Sequence, residues 1–172
     1  MPRRLPCTRL TKMQYDDLKL DLKGKIFVIL MNIEALDQKN GDLHNIGIAV
    51  LKETRYNLGI VALYLHAIEQ LGKLIMVKEC ESTFNGICYD LESISEDFYK
   101  HDEKLDKALS VLPDDCKDIF TGDVRGQLNF DLRLKMLHSD IDAAGNVVLP
   151  ESVDVDKIKK AIQIFKTEQY SY

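Results

Sequence analysis

The sequence has no tryptophan, only four prolines and four cysteines, and no long apolar run. Its longest uninterrupted apolar segment, at residues 26–31, is far shorter than the roughly 20 residues that a membrane-spanning helix needs. No two cysteines have the C-x-x-C spacing of zinc and redox motifs, and 172 residues can build a core without disulfides. We therefore expect reduced thiols, no structural metal and no transmembrane segment.

The charge of the chain is moderately acidic, with 23 Lys and Arg against 28 Asp and Glu. A net charge of -5 gives no basic footprint of the kind that dedicated duplex-DNA-binding proteins carry. The N-terminus is basic, but no apolar segment of a secretory signal follows it. We expect a cytoplasmic protein with a flexible basic arm over residues 1–14 and a single helical domain over residues 15–172.

Apolar residues recur at three- and four-residue steps along most of the chain, which is typical of amphipathic helices. The pattern predicts helices at residues 15–36, 42–54, 56–80, 91–112 and 154–168. A turn is expected at residues 37–42, which contain Asn40-Gly41. Pro113 should end the fourth helix, because proline cannot continue one.

Residues 127–136 show a different pattern, because apolar and polar side chains alternate there with the period of a strand. A turn-rich segment at 142–146 and the apolar residues 147–149 follow, so we expect a short β-hairpin. The predicted fold class is mostly α, an antiparallel helical bundle with this late hairpin. The third helix carries apolar residues around more of its circumference than a small bundle covers, which favours a homodimer. These extra residues are Ile60, Leu63, Leu65 and Ile75.

None of the well-known catalytic motifs is present: the sequence has no Gly-rich phosphate loop, Gly-x-Ser-x-Gly elbow, His-Glu-x-x-His or EF-hand loop. The third helix carries Glu69 and Lys73 one turn apart, either as a surface ion pair or, given their apolar neighbours, as a partly buried pair. Gly72 between them would let another backbone come close.

Two histidines are candidate general bases. His101 lies one turn from Lys104 on the predicted fourth helix, either on a solvated charged face or as a base tuned by a cation or by Glu69. Arg133 and His138 have an Arg-x4-His spacing. Their side chains would be about 140° apart on a helix and on opposite faces of a strand, so they could share a site only through a bend or a second chain. We therefore favour His101.

These residues carry a resemblance to a known family. The segment Ala67-Ile68-Glu69-Gln70-Leu71-Gly72-Lys73 resembles the core helix of the AbiV family of phage abortive-infection proteins, which has an Ala-x-Glu-Glu-Leu-Gly-Lys pattern. His101-x-x-Lys104-Leu105 and the segment from Met136 to Asp142, followed by Gly145 and Pro150, extend the similarity over about residues 33–162. Gln70 stands where the family has a second Glu, and His138 where a Tyr is expected.

The AbiV family is grouped with the HEPN superfamily, so the resemblance implies an all-α bundle that dimerises and often cuts RNA without a metal. It leads us to expect a phage-defence effector, with RNA as substrate and no cofactor or metal. In this hypothesis His101 is the base, Lys104 or Arg133 contacts the phosphate, and Glu69 with Lys73 orients the base. The alternative is a non-catalytic module that sequesters a phage or host protein, or a nucleotide.

Overall fold

The structure is a computed structural model, and it describes residues 4–44, 49–113, 140–141, 147–148, 160 and 163–164. It has the expected fold class, because the described residues are mostly helical and include a short hairpin. The helices are α1 (Lys12–His44), α2 (Ala49–Glu79) and α3 (His101–Val111), and the strands are β1 (Arg9–Thr11), β2 (Cys88–Asp90), β3 (Asp140–Ile141) and β4 (Val147–Val148). Short 3-10 turns lie at Cys80–Thr83, Glu92–Ile94 and Asp97–Tyr99.

Two predicted helix boundaries are wrong because the first two helices are longer than expected. The turn predicted at residues 37–42 lies inside α1, and the break predicted after residue 54 lies inside α2. Asn and Gly each cost a helix about 1 kcal/mol or less relative to Ala. Once a helix is nucleated, each further residue adds a backbone hydrogen bond, so such a local cost does not have to end it.

The start predicted for the fourth helix, near residue 91, is also wrong. Two 3-10 turns replace its first part, with hydrogen bonds from the Ser95 N–H to the Glu92 carbonyl (3.1 Å) and from the Lys100 N–H to the Asp97 carbonyl (3.0 Å). Lys100 then has an extended backbone, with ψ of 131°, and α3 begins at the next residue. The predicted end is confirmed, since α3 stops shortly before Pro113.

The chain divides into two compact units, one formed by Met1–Val28 with Ala67–Val111 and the other by Ile29–His66 with Leu112–Tyr172. In the first unit, β1 pairs antiparallel with β2, from Arg9 opposite Asp90 to Thr11 opposite Cys88. The Leu5 N–H also donates to the Ser95 carbonyl at 3.2 Å. From residue 5 onward the segment expected as a flexible arm is therefore tied by backbone hydrogen bonds.

Tyr15 anchors the first turns of α1 in this unit. Its hydroxyl donates to the Val77 carbonyl of α2 at 2.6 Å, and its ring stacks on Tyr89 of β2 with the centroids 3.8 Å apart. Burial, with a smaller contribution from the negative charge of Glu81, raises the pKa of Tyr15 far above its usual range. The phenol therefore stays protonated and remains a hydrogen-bond donor. The buried apolar residues of this unit include Leu22, Ile26, Leu74, Met76, Leu91 and Leu105.

In the second unit, α1 and α2 meet where Leu36 lies near Gly59. Ile60 and Leu65 are buried, and so is Ile75 in the first unit. Three of the four extra apolar residues are thus buried within a single chain and Leu63 is half-buried, so they do not by themselves call for a homodimer.

The late hairpin pairs β3 with β4, with Asp140 opposite Val148 and Ile141 opposite Val147. The alternating segment 127–136, predicted as a strand, lies outside the described residues. Most of the helix predicted at 154–168 does too, although residues 160, 163 and 164 are helical. Among the helices described, none combines the length and the apolarity needed to cross a bilayer.

Candidate functional site

The candidate site lies in the first unit, where α2 and α3 pack unusually closely at Gly72. A Cβ atom added to Gly72 would lie 2.6 Å from the carbonyl carbon and 2.8 Å from the Cα of Lys104. Real Cβ atoms essentially never approach other heavy atoms within 3.0 Å. The close backbone approach that the sequence predicted at Gly72 is confirmed, and it fixes the spacing of the two helices.

The two helices run in the same direction at this contact. Glu69 meets His101, Gly72 meets Lys104, and Glu79 meets Lys107, whose Nζ lies 2.7 Å from both carboxylate oxygens. Each later residue of α2 therefore contacts a later residue of α3. This parallel packing places the first turn of α3 beside the C-terminal third of α2, and so brings His101 to Glu69.

Glu69 and His101 are directly hydrogen-bonded. The Nδ1 atom of His101 lies 2.8 Å from Oε1 of Glu69. Because an ionised carboxylate only accepts hydrogen bonds, Nδ1 must carry the proton and donate it. In the neutral imidazole this leaves the lone pair on Nε2, the arrangement in which a carboxylate orients a histidine as a base. Glu69 is 7% exposed, which agrees with the alternative that its carboxylate is buried rather than on the surface. The side chain of His101 is 38% exposed.

Lys104 supplies the positive charge that balances Glu69. It is only 4% exposed, and its Nζ lies 3.8 Å from Oε2 of Glu69, at the outer limit of an ion pair. An unpaired buried carboxylate would be costly, so the nearby ammonium favours the ionised form of Glu69. A cation buried to this extent is poorly placed to meet a phosphate arriving from solvent. We therefore move Lys104 from the phosphate-contacting role to the support of Glu69.

Lys73 lies against two aromatic rings that sequence reasoning did not single out. Its Nζ is 5.0 Å from the ring centroid of Phe98 and 5.8 Å from that of Tyr99, and the two rings meet edge to face with centroids 5.4 Å apart. Such cation–π contacts hold an ammonium in place while leaving it charged. The signal in the sequence was the aromatic pair directly before the Lys100-His101 segment.

Lys100 adds a further positive charge next to His101. Its Nζ bonds the Asp97 carboxylate at 2.6 Å, and this hydrogen bond raises the pKa of Lys100. The other two candidate residues, Arg133 and His138, lie outside the described residues, so their roles stay predictions. Within the part of the chain that is described, no three His, Cys, Asp or Glu side chains come together as a metal site would require.

Comparison with known proteins gives no relative for this chain, because no protein-family model, curated protein or solved structure matches it.

Proposed function

We propose that this protein is a phage-defence effector that cuts RNA needed for translation without a metal, and that Glu69 and His101 form its catalytic pair. The observation that supports this most is the 2.8 Å hydrogen bond from His101 Nδ1 to Glu69. It joins a buried carboxylate to a histidine whose side chain is partly exposed to solvent. A general base needs a fixed orientation, which this hydrogen bond supplies, and a side chain that is partly exposed, as His101 is at 38%.

In the proposed reaction, Nε2 of His101 takes the proton from a ribose 2′-OH. The 2′ oxygen then attacks the adjacent phosphorus, and the bond to the 5′ oxygen of the next nucleotide breaks. That oxygen takes a proton from a water molecule, and the resulting hydroxide takes the proton from the imidazolium of His101, which returns the base to its neutral form. The products are a 2′,3′-cyclic phosphate and a free 5′-OH. Negative charge grows on the phosphate oxygens during the attack, and a positioned cation lowers the barrier.

Lys73 is the described residue best suited to be that cation. It lies one turn after Glu69 on α2, and its ammonium rests on Phe98 and Tyr99, close in sequence to His101. The rings also offer apolar surface on which an unpaired base could stack. Arg133 remains a second candidate for the phosphate contact.

The biological setting rests on the sequence resemblance to the AbiV family. That resemblance supports a role in phage defence, action in the cytoplasm and assembly as a homodimer. It does not by itself choose between cutting RNA and blocking a partner, because HEPN-like modules include both kinds.

A non-catalytic binding module is the second candidate, and the net charge of -5 favours it. RNA binding draws on Lys and Arg to neutralise phosphates, and this chain has an excess of acids. Such a module would sequester a phage or host protein, or hold a nucleotide.

The deciding experiment incubates purified protein with total cellular RNA in EDTA and maps any fragments by sequencing their ends. We expect defined fragments with 2′,3′-cyclic ends from the wild type and none from His101→Ala. The matched control is Lys107→Ala, which removes an exposed cation from the same helix and should leave cleavage unchanged. If the wild type leaves RNA intact while His101→Ala still inhibits growth, the binding module is the better explanation.

A further inference from the structure

We infer that Asn85 is a deamidation site of the folded protein, at which the backbone nitrogen of Gly86 displaces the side-chain amide as ammonia. Both residues are exposed, in the loop between the 3-10 turn at Cys80–Thr83 and β2. Asparagine is a chemically labile residue, and a following glycine favours the reaction because it has no side chain to hinder the attack. The sequence holds a second Asn-Gly pair at residues 40–41, but that pair lies inside α1.

The side chain of Asn85 closes its own loop. Its Oδ1 atom accepts hydrogen bonds from the N–H groups of Ile87 and Cys88, both at 3.0 Å, and its own N–H donates to the Cys88 carbonyl at 3.2 Å. Asparagine often bonds nearby backbone in this way in turns. The bond from Ile87 closes a ring of atoms that includes both Cγ of Asn85 and the nitrogen of Gly86. The two reacting atoms are thus ordered within one turn of the chain, which removes part of the entropic cost of bringing them together.

The same two hydrogen bonds activate the side-chain carbonyl of Asn85. When the nitrogen of Gly86 attacks Cγ, negative charge develops on Oδ1. The N–H groups of Ile87 and Cys88 are already 3.0 Å from that oxygen. Donors fixed in advance where an oxyanion forms lower the barrier of acyl transfer. The loop therefore supplies the electrostatic part of the reaction from its own backbone.

The nitrogen of Gly86 is open to a base from solvent. Within the described part of the chain, its N–H donates no hydrogen bond. Gly86 has a φ of 90°, which glycine adopts without strain, and a Cβ added there would meet no atom within 4 Å. Hydroxide can therefore reach the N–H and remove its proton.

The reaction needs only water and hydroxide. Hydroxide takes the proton of the Gly86 nitrogen, and this nitrogen forms a bond to Cγ of Asn85. The bond from Cγ to Nδ2 then breaks, and Nδ2 leaves as ammonia after taking a proton from water, which restores the hydroxide. Water opens the resulting cyclic imide either at the bond from Cγ to nitrogen, which gives aspartate, or at the main-chain carbonyl, which gives isoaspartate.

The two products should affect the first unit differently. Aspartate keeps an oxygen at the Oδ1 position and can accept the same two hydrogen bonds. Isoaspartate carries the main chain through Cβ and Cγ, which lengthens the loop that closes on Cys88. The next residue is Tyr89, whose ring stacks on Tyr15. Isoaspartate at position 85 should therefore loosen the start of β2 and lower the melting temperature.

The Asn-Gly pair at 40–41 is an internal control with the same chemistry. In an α-helix each N–H donates to the carbonyl four residues earlier, so the N–H of Gly41 is engaged in α1. Its attack on the side chain of Asn40 requires the helix to open first. Trypsin releases the two pairs on separate peptides, 40–52 and 79–100.

The first test incubates the full chain at mildly alkaline pH, with and without guanidinium chloride, and follows the amide-to-carboxyl mass shift in both peptides. We expect the native protein to lose the amide of Asn85 at least about tenfold faster than that of Asn40, since a net hydrogen bond is worth about tenfold in an equilibrium. In the unfolded chain the two pairs should react at similar rates. If native Asn85 keeps its amide while the unfolded chain loses it, or if native Asn40 reacts as fast as Asn85, the proposal is overturned.

A second test follows the consequence for stability. Wild-type protein aged until peptide 79–100 contains isoaspartate, which chromatography separates from aspartate, should melt below fresh wild type. The matched control is freshly purified Asn85→Asp, which has the new charge on an unaltered main chain and should melt close to fresh wild type. An aged sample that melts like this variant would contradict the disruption by isoaspartate. Neither test involves RNA, so this inference and the proposed function can fail separately.

Discussion

Replacing Gly72 by Ala should destabilise the protein even though alanine is the better helix former. In an exposed helix the exchange gains about 0.5 to 1 kcal/mol, because glycine loses more backbone freedom on folding. At Gly72 the new methyl group would lie 2.6 Å from the carbonyl carbon of Lys104, where contacts of 3.4 Å or more are ordinary. The obstacle is backbone, so no rotamer change can relieve it. The helix α3 would have to move away by about 1 Å.

The cost follows from that movement. Overpacking a well-packed interior typically costs about 1 to 3 kcal/mol, and contacts with backbone atoms belong at the upper end. Moving α3 also stretches the hydrogen bond from His101 to Glu69 and separates Lys104 from the same carboxylate. We expect a net loss of about 2 kcal/mol or more after the gain in helix propensity. For a protein of this length that corresponds to a fall in Tm of roughly 4 to 8 °C.

Gly59→Ala is the control, because it makes the same exchange on the same helix. A Cβ at Gly59 would meet only the Cδ1 atom of Leu36, at an ordinary 3.9 Å. That variant should be as stable as the wild type or more stable by up to about 1 kcal/mol. Urea unfolding followed by circular dichroism measures both variants. If Gly72→Ala proves as stable as Gly59→Ala, the close packing of α2 and α3 is refuted.

Three further predictions concern single side chains. His101→Ala should abolish RNA cleavage and growth inhibition while His138→Ala keeps both; the reverse result would identify the Arg-x4-His spacing as the active motif. Glu69→Ala should cost about 3 to 5 kcal/mol in urea unfolding, because it leaves a buried cation without its counter-charge, and a loss below about 1 kcal/mol would indicate only a surface pair. The hydrogen bond from Lys19 lowers the pKa of Glu81, so this contribution to stability is present above the ordinary carboxyl pKa and disappears as the pH falls through the lowered value. Lys19→Met should therefore reduce the loss of stability below about pH 5 by less than 1 kcal/mol, since the pair is partly exposed, and an unchanged acid profile would exclude the pair as a contributor.

The sequence predicts those features of this protein that depend on local pattern. The helical period of the apolar residues predicts the mostly α fold, and Pro113 predicts the end of α3. Gly72, one turn after Glu69 among apolar neighbours, predicts the close backbone approach and the burial of Glu69. The boundaries inside α1 and α2 could not be read from Asn40-Gly41 alone, because the cooperativity of a long helix outweighs one weak breaker.

The pairing of side chains across α2 and α3 depends instead on their direction and offset, which no local pattern contains. Lys73 illustrates this, because its i+4 spacing from Glu69 does not reveal that its ammonium lies over Phe98 and Tyr99. Lys104, which looked like a solvated residue three positions after His101, is buried beside Glu69.

The packing at Gly72 links the stability of the first unit to the chemistry proposed for it. Glycine there costs α2 about 1 kcal/mol of helix propensity relative to alanine. In return, the backbone of α3 comes close enough for His101 and Lys104 to reach the same carboxylate from successive turns. A wider helix spacing would leave Glu69 buried without one or both partners, and the carboxylate would then become protonated or draw in water. A protonated Glu69 could no longer hold the Nδ1 proton of His101 as a carboxylate does, so the base would lose its fixed tautomer. The glycine therefore positions the proposed general base, because it sets the helix spacing at which His101 and Lys104 reach Glu69.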